Sequence, residues 1–491
     1  MLRQHRDPIL DYFKAKKEFS SGVVEGLHNK AKLTWSGSVR PATAFGARQD
    51  KELLRAKRRL HAAGWVASRE CRRCLGVIFD DQDPHAAILQ PRPRGIYSVV
   101  MNRRNFFSTA LGASATLALP RPALPASPPP MKITDIKFLR LRYPGRTPRK
   151  RNSTIESGGG PPGMTQLELY TDAGIVGRSI PSGSSEIITG QLLPRIKGMN
   201  PFDVEAIWDR MYRHNRKPVA KGLYISALGS VDIAVWDIVG KALNMPLYQV
   251  LGGFSDRIRV YAAGGYYEEG KGLKELAKEM EGYVAEGFRA VKMKIGGETM
   301  ETDAERVRAV RDAIGPKVDL MIDANNKWNA YDAIRFGRRV ERYNPFWFEE
   351  PVEADDFAGC AEVKRALDIP IAAGENEFTR WGARDLITAN AVDVLQCDTV
   401  LAGGISEGRK IATLASAWHI PVSPHGNPHM AVHLLASVHN AIIMETYPAV
   451  ESQYNLALPL FPVKDGHIEV PKKPGLGIDP DPEIVKKYRV A

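Results

Sequence analysis

The sequence predicts an α/β protein, in which a (β/α)8 barrel follows an α+β segment and a non-globular leader. Two observations predict the barrel. From about residue 257 onward, short apolar runs alternate with helix-length stretches, an order that favours parallel strands. Eight such runs are present, and an ionisable residue ends most of them at intervals of 20 to 29 residues, about the length of one βα unit.

Residues 1–100 form a basic leader without steady periodicity, which we interpret as non-native or disordered. The chain carries a net charge of +12, of which residues 1–100 contribute +9 and residues 101–130 contribute +3. The rest is near neutral, so we expect no nucleic-acid partner. Four cysteines are too few for a disulfide framework, and Cys71 and Cys74 form a lone CxxC pair.

Within this leader, residues 12–32 read YFKAKKEFSSGVVEGLHNKAK. This segment resembles the C-terminal end of ISL3-type insertion-sequence transposases. The resemblance implies that Glu25 matches the last of three metal-binding carboxylates in that family. The other two carboxylates are missing, and one carboxylate cannot build a two-metal site. We interpret the segment as a remnant fused upstream, or as the result of a start codon placed too early, without nuclease activity.

Residues 101–130 have the character of an export signal. Arg103 and Arg104 form a twin-arginine pattern after Met101, and an apolar stretch and a Pro/Ala/Ser linker follow. The alternative is a chance arginine pair before a buried helix. If translation starts at Met101 we expect a periplasmic protein, and if Met1 is the true start we expect a cytoplasmic one. No other segment reaches the ~20 apolar residues of a membrane span, so we expect no stable membrane anchor.

Residues 131–255 predict an α+β domain. Residues 131–143 fit a strand, and residues 165–171 and 175–180 fit a hairpin. Between them, residues 146–164 are glycine-rich and fit either a passive linker or a flap over a site. Helical patterns follow at residues 185–196, 201–212 and 225–243.

Residues 256–450 predict the barrel itself. The expected strands all open onto one rim, where barrel enzymes keep their active sites. One acid at a strand end is commonly a helix cap, but a succession of seven ionisable strand ends favours an active site. These seven are Lys294, Asp323, Glu349, Glu375, Asp398, His425 and Glu445.

Three carboxylates end consecutive predicted strands, namely Asp323, Glu349 and Glu375. Hard oxygen ligands without cysteine or histidine favour Mg²⁺, whose other positions water and substrate can fill. Without a cation these carboxylates would repel one another or take up protons. Glu350 directly follows Glu349 and is therefore expected on the opposite face of its strand.

Two potential bases flank the predicted metal site. Lys292 and Lys294 are two residues apart and share one face of a strand, so their repulsion should lower the pKa of each and favour Lys294 as a base. Taken alone, the pair also fits a charged edge strand. Across the rim, His425 is expected to be the second base, with Asp398 holding its imidazole.

Two further residues are predicted to contact substrate. Asn325 is two residues beyond Asp323 on the same face, and Glu445, if protonated, could donate a hydrogen bond to a substrate carboxylate. A carboxylate substrate on the metal would then have a base on each face of its α-carbon, and the metal would stabilise the enediolate. Tyr266 and Tyr267 directly follow the first predicted strand of the barrel. Their position is equally compatible with lining the substrate pocket and with simple packing.

These motifs resemble the enolase superfamily in its mandelate racemase subgroup, over about residues 131–491. The matching stretches are KMK at 292–294, DAN at 323–325, WFEEP at 347–351, GEN at 374–376, Asp398, SPH at 423–425, Glu445, SVDIAVWDIVGK at 230–241 and PGLG at 474–477.

The resemblance implies a modified (β/α)8 TIM-like barrel with an α+β capping domain made of both chain ends, the second being residues 451–491. It implies dependence on Mg²⁺ and a substrate-selecting loop at residues 146–164. The acid/base pair would be Lys294 and the His425–Asp398 dyad, and the carboxylate contacts would be Lys292 and Glu445.

The sequence leaves three functions open. The first is dehydration of an acid sugar to a 2-keto-3-deoxy acid, in which Lys294 or His425 removes the α-proton and protonated His425 assists loss of the β-hydroxyl. The second is racemisation or epimerisation of a 2-hydroxy acid by the same bases. The third is non-catalytic carboxylate binding, which the filled catalytic positions disfavour. The polar flap favours dehydration of a small carboxylate substrate, and we expect a homo-oligomer.

Three histidines near the predicted seventh strand, His429, His433 and His439, are expected to be helix residues rather than ligands.

Overall fold

A computed structural model describes the backbone of three short segments near the N-terminus and most of the chain after residue 129. The described ranges are 77–79, 86–89, 101–102, 130–213, 221–448 and 456–490.

The chain divides into two compact units, residues 1–124 and 125–491. In the first unit, three short strands pair antiparallel in the order β1-β2-β3, with β1 at Val77–Phe79, β2 at Ala86–Leu89 and β3 at Met101–Asn102. The transposase-like segment, the cysteine pair and the twin arginines predicted from the sequence all lie outside the described residues.

The second unit contains the remaining described strands and all the described helices. The strands are β4 Ile133–Arg142, β5 Lys150–Arg151, β6 Glu156–Ser157, β7 Gly163–Thr171, β8 Val176–Ser179, β9 Arg257–Ala263, β10 Ala290–Lys294, β11 Asp319–Asp323, β12 Trp347–Glu349, β13 Ile371–Ala373, β14 Val394–Leu395, β15 Met444–Thr446, β16 His467–Glu469 and β17 Arg489–Val490. The helices are α1 Ser185–Ile187, α2 Leu193–Ile196, α3 Val204–Arg213, α4 Leu223–Ala242, α5 Leu247–Val250, α6 Leu273–Ala285, α7 Met300–Ile314, α8 Ala330–Val340, α9 Phe357–Ala366, α10 Thr379–Thr388, α11 Ile405–Ala417, α12 Pro428–Leu435 and α13 Pro482–Tyr488. A π-helical turn joins α1 to α2, and a 3-10 turn follows α8.

The first part of this unit is an antiparallel sheet of order β17-β4-β7-β8, packed against helices. Alternate side chains of β4 and β7, such as Ile136 and Leu167, point into a core shared with α4. Of the helices in the described ranges, α4 is long and apolar enough to cross a membrane, but it is buried inside the unit. Gly229 of α4 lies where a Cβ atom would come within 2.1 Å of the Val400 carbonyl oxygen, so only glycine permits this close contact.

The barrel is formed by parallel strands in the order β14-β13-β12-β11-β10-β9-β15, which confirms the predicted α/β barrel architecture. The strand expected near residues 421–425 is reduced to one position, Val422, which bridges in parallel to Leu395 on one side and Ala441 on the other. Proline at 421 and 424 lacks the N–H that a longer ladder would need. The ring of parallel pairing is nevertheless continuous through Val422.

The register of the barrel strands arranges inward side chains in layers. Lys294 pairs with Asp323, and Asp323 pairs with Glu349, so these three residues lie in one layer at the C-terminal rim. Large apolar side chains such as Tyr261 and Trp347 fill the interior below and form the floor of the rim. The rim therefore opens over a packed barrel core, as in other barrels of this type.

The C-terminal residues run back along the unit. β16 pairs antiparallel with the first residues of β9, and β17 pairs with β4 at the edge of the N-terminal sheet. In between, the backbone N–H of Leu476 donates to Asp237 of α4 at 2.7 Å, and Gln166 of β7 donates to the Ile478 carbonyl at 3.0 Å. These bonds connect the chain end to the helix and sheet at the other end of the unit.

Candidate active site

The two lysines of β10 point into the barrel mouth, with Lys292 below Lys294. The Nζ of Lys292 lies 2.6 Å from both Glu349 Oε1 and Glu445 Oε1, and 3.5 Å from Asp323 Oδ2. Among the residues that the structure describes, Lys294 donates to one carboxylate, that of Asp323. Lys292 is thus the central cation of a buried cluster, while Lys294 is attached at its edge.

These ion pairs reverse the sequence-based expectation for the lysine pKa values. Burial and the neighbouring ammonium lower the pKa of Lys294, but the carboxylate of Asp323 outweighs them and the net shift is upward. Burial also lowers the pKa of Lys292, and Glu349 and Glu445 raise it well above its usual value. Both amines are charged in this state, so the prediction that their mutual repulsion would dominate is wrong.

Of the three carboxylates predicted to bind a metal, Asp323 and Glu349 end the neighbouring strands β11 and β12, and Glu375 lies two residues beyond the end of β13. Glu349 is fully buried, and its Oε2 accepts hydrogen bonds at 2.9 Å from both Trp347 Nε1 and Gln396 Nε2. Burial raises the pKa of Glu349 to about 7, with Lys292 opposing the shift and Asp323 adding to it. Burial raises the pKa of Glu375 too, against the opposing effect of His425.

The carboxylates do not surround one common point in this arrangement. Among the residues that the structure describes, no group of three or more His, Cys, Asp or Glu side chains is close enough to hold a metal ion. Glu349 forms an ion pair with Lys292, and Asp323 with Lys294. The sequence analysis assigned no site role to Gln396, and it named Trp347 only as part of the WFEEP stretch; both side chains donate hydrogen bonds to Glu349.

On the other side of the carboxylates, the structure brings together the predicted imidazole and its partner. His425 Nδ1 lies 3.1 Å from Asp398 Oδ2, and its Nε2 lies 3.5 Å from Glu375 Oε2. Burial lowers the pKa of His425, but Glu375, Glu445 and Asp398 raise it well above the usual value, so the ring is protonated. Tyr447, which the sequence analysis did not identify, places its hydroxyl 3.3 Å from Nε2.

Glu445 lies at the predicted rim position but in the opposite protonation state. Burial raises its pKa, but Lys292, His425 and Lys294 outweigh burial and lower it strongly. Its Oε2 accepts a hydrogen bond from the Gly426 N–H at 2.9 Å. Glu445 is therefore an ionised acceptor, and the expectation that it could donate a hydrogen bond as a protonated acid is wrong for this state.

Asn325 and Glu350 both adopt left-handed backbone conformations next to the carboxylates, with φ of 44° and 43°. The Asn325 N–H donates to Asp323 Oδ1 at 2.9 Å, and its buried side-chain oxygen has no hydrogen-bond partner among the described residues. Glu350 instead accepts from Asn376 Nδ2 at 2.6 Å. Strained positions like these cluster at functional sites, and the Asn325 side chain remains available to a ligand.

Within the predicted flap, the structure shows a small ribbon of β5 and β6 that reaches the barrel rim. Its Arg151 pairs by backbone bonds with Tyr267, and the Ser153 hydroxyl donates to the Ala324 carbonyl. Tyr267 donates to Asp303 at 2.5 Å and is a packing residue. Tyr266, in contrast, has the Lys294 ammonium 5.3 Å from its ring centre and faces the mouth.

In the described part of the chain, none of the three histidines after the Val422 bridge contacts a rim carboxylate. His429 and His433 lie on α12 and bond to the carbonyls of Pro459 and Leu476. His439 lies in a turn beyond α12 rather than on the helix, where it contacts Ser416.

Comparison with known proteins identifies matches over both parts of the second unit. Residues 162–252 match the mandelate racemase/muconate lactonizing enzyme N-terminal domain, and residues 275–484 match the enolase C-terminal domain-like family. Arabinonate dehydratase of Saccharolobus solfataricus is 33% identical over 371 residues, which cover 73% of this chain and 99% of that protein. L-talarate/galactarate dehydratase of Salmonella typhimurium is 32% identical over 288 residues, 58% of this chain and 71% of that protein.

A similar solved structure is a racemase from Streptomyces coelicolor with bound magnesium. It is 28% identical, has a TM-score of 0.66, and the match covers 73% of this chain and 100% of that one.

Proposed function

Since the chain belongs to the enolase superfamily, in its mandelate racemase subgroup, we propose that it is a Mg²⁺-dependent dehydratase of an acid sugar. The observation that carries the proposal is the placement of two proton-transfer groups around one set of carboxylates. Lys294 bonds to Asp323 at one end of the set, and His425 lies 3.5 Å from Glu375 at the other. A substrate held between them would present its α-carbon to both groups.

The residues fit a magnesium ion by their chemistry. Asp323, Glu349 and Glu375 supply only hard oxygen donors from adjacent strands, and their mutual repulsion contributes to the raised pKa values of both glutamates. These three would hold the ion. When bound, Mg²⁺ would serve as a Lewis acid that stabilises the enediolate formed from the substrate carboxylate.

The remaining chemistry belongs to this chain's own residues. We assign Lys294 as the base that accepts the α-proton, which requires its release from the Asp323 ion pair so that the pKa can fall. Lys292 stays cationic and binds the substrate carboxylate. His425, held by Asp398 and protonated, gives a proton to the departing β-hydroxyl, so that water leaves and an enol remains to tautomerise.

Racemisation of a 2-hydroxy acid is the second candidate. It uses the same Lys294 and His425 on opposite faces of one carbon, and one structural relative is described as a racemase. We favour dehydration, because relatives of this chain include arabinonate dehydratase and L-talarate/galactarate dehydratase.

A library of acid sugars separates the two functions. The full chain is incubated with Mg²⁺, and keto-acid product and exchange of the α-proton with solvent deuterium are both measured. We expect keto product. Exchange without keto product would favour the racemase, and neither signal with any acid sugar would refute both.

Single variants test the assigned residues. Lys294→Ala and His425→Ala should each lower kcat by at least about 100-fold, the usual scale for loss of a general acid or base. The exposed Lys137 and the partly exposed His467 provide matched controls as alanine variants. Full activity in both active-site variants would exclude the mechanism.

Two properties outside the site are part of the proposal. We propose export through the twin-arginine motif at residues 103–104, which cell fractionation of an Arg103→Lys/Arg104→Lys double variant would test, with retention in the cytoplasm expected. We also propose a homo-oligomer, supported by apolar side chains such as Phe254 and Leu460 that are at least 60% exposed. Light scattering of the purified protein would test it.

A further inference from the structure

One cation at the barrel mouth has no role in the chemistry described so far. Lys150 lies on β5, in the ribbon of residues 150–157. The ribbon is fastened to the rim at two points: Arg151 exchanges backbone hydrogen bonds of 2.9 and 3.0 Å with Tyr267, and Ser153 bonds to the carbonyl that follows Asp323. Lys150 is thus positioned by fixed backbone rather than by a free loop.

Adjacent residues of a strand point to opposite faces, and this ribbon follows the rule. Arg151 points away from the mouth, where its guanidinium donates to the Gly297 carbonyl at 2.8 Å, pairs with Glu298 at 2.5 Å and lies 4.6 Å from the Tyr267 ring centre. Lys150 points the other way, and its ammonium lies 4.1 Å from the ring centre of Tyr266. The two neighbouring side chains therefore lie on opposite faces of the ribbon, and Lys150 is on the face towards the site.

Lys150 and the proposed base share the same aromatic ring. The Lys294 ammonium lies 5.3 Å from the Tyr266 ring centre, so the two cations are separated by less than about 10 Å, the Debye length at 0.1 M salt. One acid-sugar molecule with its α-carbon at Lys294 would have its far end close to Lys150. The two lysines mark the two ends of one elongated site.

Lys150 lacks an anionic partner within the described part of the chain. Its ammonium makes no ion pair or hydrogen bond there, whereas the neighbouring Lys271 pairs with both Glu268 and Glu279. Burial lowers the pKa of Lys150, Glu268 opposes this, and Lys294 lowers it further. Keeping the half-buried Lys150 ammonium near the Lys294 ammonium costs free energy. An anion placed between Lys150 and the edge of the Tyr266 ring would offset that cost.

We propose that Lys150 is a specificity-determining residue that binds a second carboxylate of the substrate, so that the preferred acid sugars are aldarates, with a carboxylate at each end. The inference rests on the proposed dehydratase function. One carboxylate would lie at Lys292 and the proposed metal ligands, and the other would accept a charge-assisted hydrogen bond from Lys150. Aldonates, which end in a neutral hydroxymethyl group, would lose that bond.

The test compares galactarate with D-galactonate, and glucarate with D-gluconate, in the wild type and in Lys150→Met, which keeps the length and apolar body of the side chain. The wild type should show the higher kcat/KM for the diacids. Lys150→Met should lower kcat/KM for diacids by about 10- to 100-fold and for monoacids by less than about threefold, since a charge-assisted bond is lost only with the former.

Lys137→Met is the matched control. Lys137 also places its ammonium over a tyrosine ring, 5.1 Å from the centre of Tyr170, but on the exposed face of β4. It should leave both values unchanged. Lys150→Arg should keep the preference for diacids.

The outcomes separate this inference from the proposed function. Equal losses for diacids and monoacids in Lys150→Met, or a wild type that dehydrates aldonates but no aldarate, would overturn the role of Lys150 while the dehydratase function stands. A wild type that dehydrates no acid sugar would overturn both.

Discussion

Gln396 offers a direct test of how the proposed metal ligand Glu349 is held. The Gln396 side chain is fully buried, and its amide donates to Glu349 Oε2 at 2.9 Å. Trp347 donates to the same oxygen at 2.9 Å, while Lys292 holds the other oxygen. Replacing Gln396 by methionine removes one of the three donors with little change in side-chain length.

The expected magnitude follows from this donor count. A hydrogen bond to a buried ionised group contributes about 1.5–3 kcal/mol, and each 1.4 kcal/mol changes an equilibrium constant about tenfold. Because Trp347 still holds the same oxygen, we expect the lower end, a weakening of Mg²⁺ binding of about tenfold. Mutation of a residue that hydrogen-bonds to a metal ligand commonly lowers metal affinity by about this factor.

The assay is calorimetric titration of the substrate-free protein with Mg²⁺, so the readout does not depend on turnover. Gln166→Met is the matched control, because Gln166 is also fully buried and also uses its side-chain amide, bonding to the Ile478 carbonyl at 3.0 Å in the capping sheet. It should lose stability without losing Mg²⁺ affinity. Wild-type affinity in a folded Gln396→Met protein, or equal weakening in the control, would refute the reasoning.

Two further predictions concern stability and the flap. Burial raises the pKa of Asp232 to about 7, above its unfolded value of about 4, so its contribution to the free energy of unfolding is complete below pH 4 and falls by up to about 4 kcal/mol as pH rises to 7. Asp232→Asn should flatten this pH dependence when stability is measured by denaturant unfolding. Parallel stability-versus-pH curves for the wild type and the variant would contradict the prediction. Arg151→Met should raise KM for diacids and monoacids alike by at most about fivefold, because its partly exposed ion pair with Glu298 contributes about 1 kcal/mol or less. A rise in KM for diacids alone would contradict the separate roles of Arg151 and Lys150.

The barrel could be predicted from the sequence because ionisable residues at the predicted strand ends recur at the spacing of one βα unit. The spacing of Lys294, Asp323 and Glu349 predicts that they share a rim, and the strand register places them in one layer. The strand near residues 421–425 shows the limit of this reasoning. Its apolar content predicted a full strand, but the prolines leave a single bridge at Val422.

Contacts between distant strands were not predictable from local pattern. The Lys292–Lys294 repulsion is visible in the sequence because the two residues are neighbours on one strand, whereas the carboxylates that outweigh it come from three other strands. The ribbon that carries Lys150 was also missed. Each of its strands has only two residues, too few for any alternation to appear.

The two lysines of β10 are chemically equivalent in sequence but not in the structure, and the difference explains which of them can be a base. Lys292 has two carboxylates at 2.6 Å, from Glu349 and Glu445, so loss of one would leave it charged. Among the described residues, Lys294 forms an ion pair with one carboxylate, that of Asp323, which is itself proposed to bind the metal. A cation that engages Asp323 would weaken the strongest of the attractions that raise the pKa of Lys294, while Lys292 would continue to lower it. In the proposed mechanism, occupation of the site would therefore activate Lys294 as the base and leave Lys292 charged.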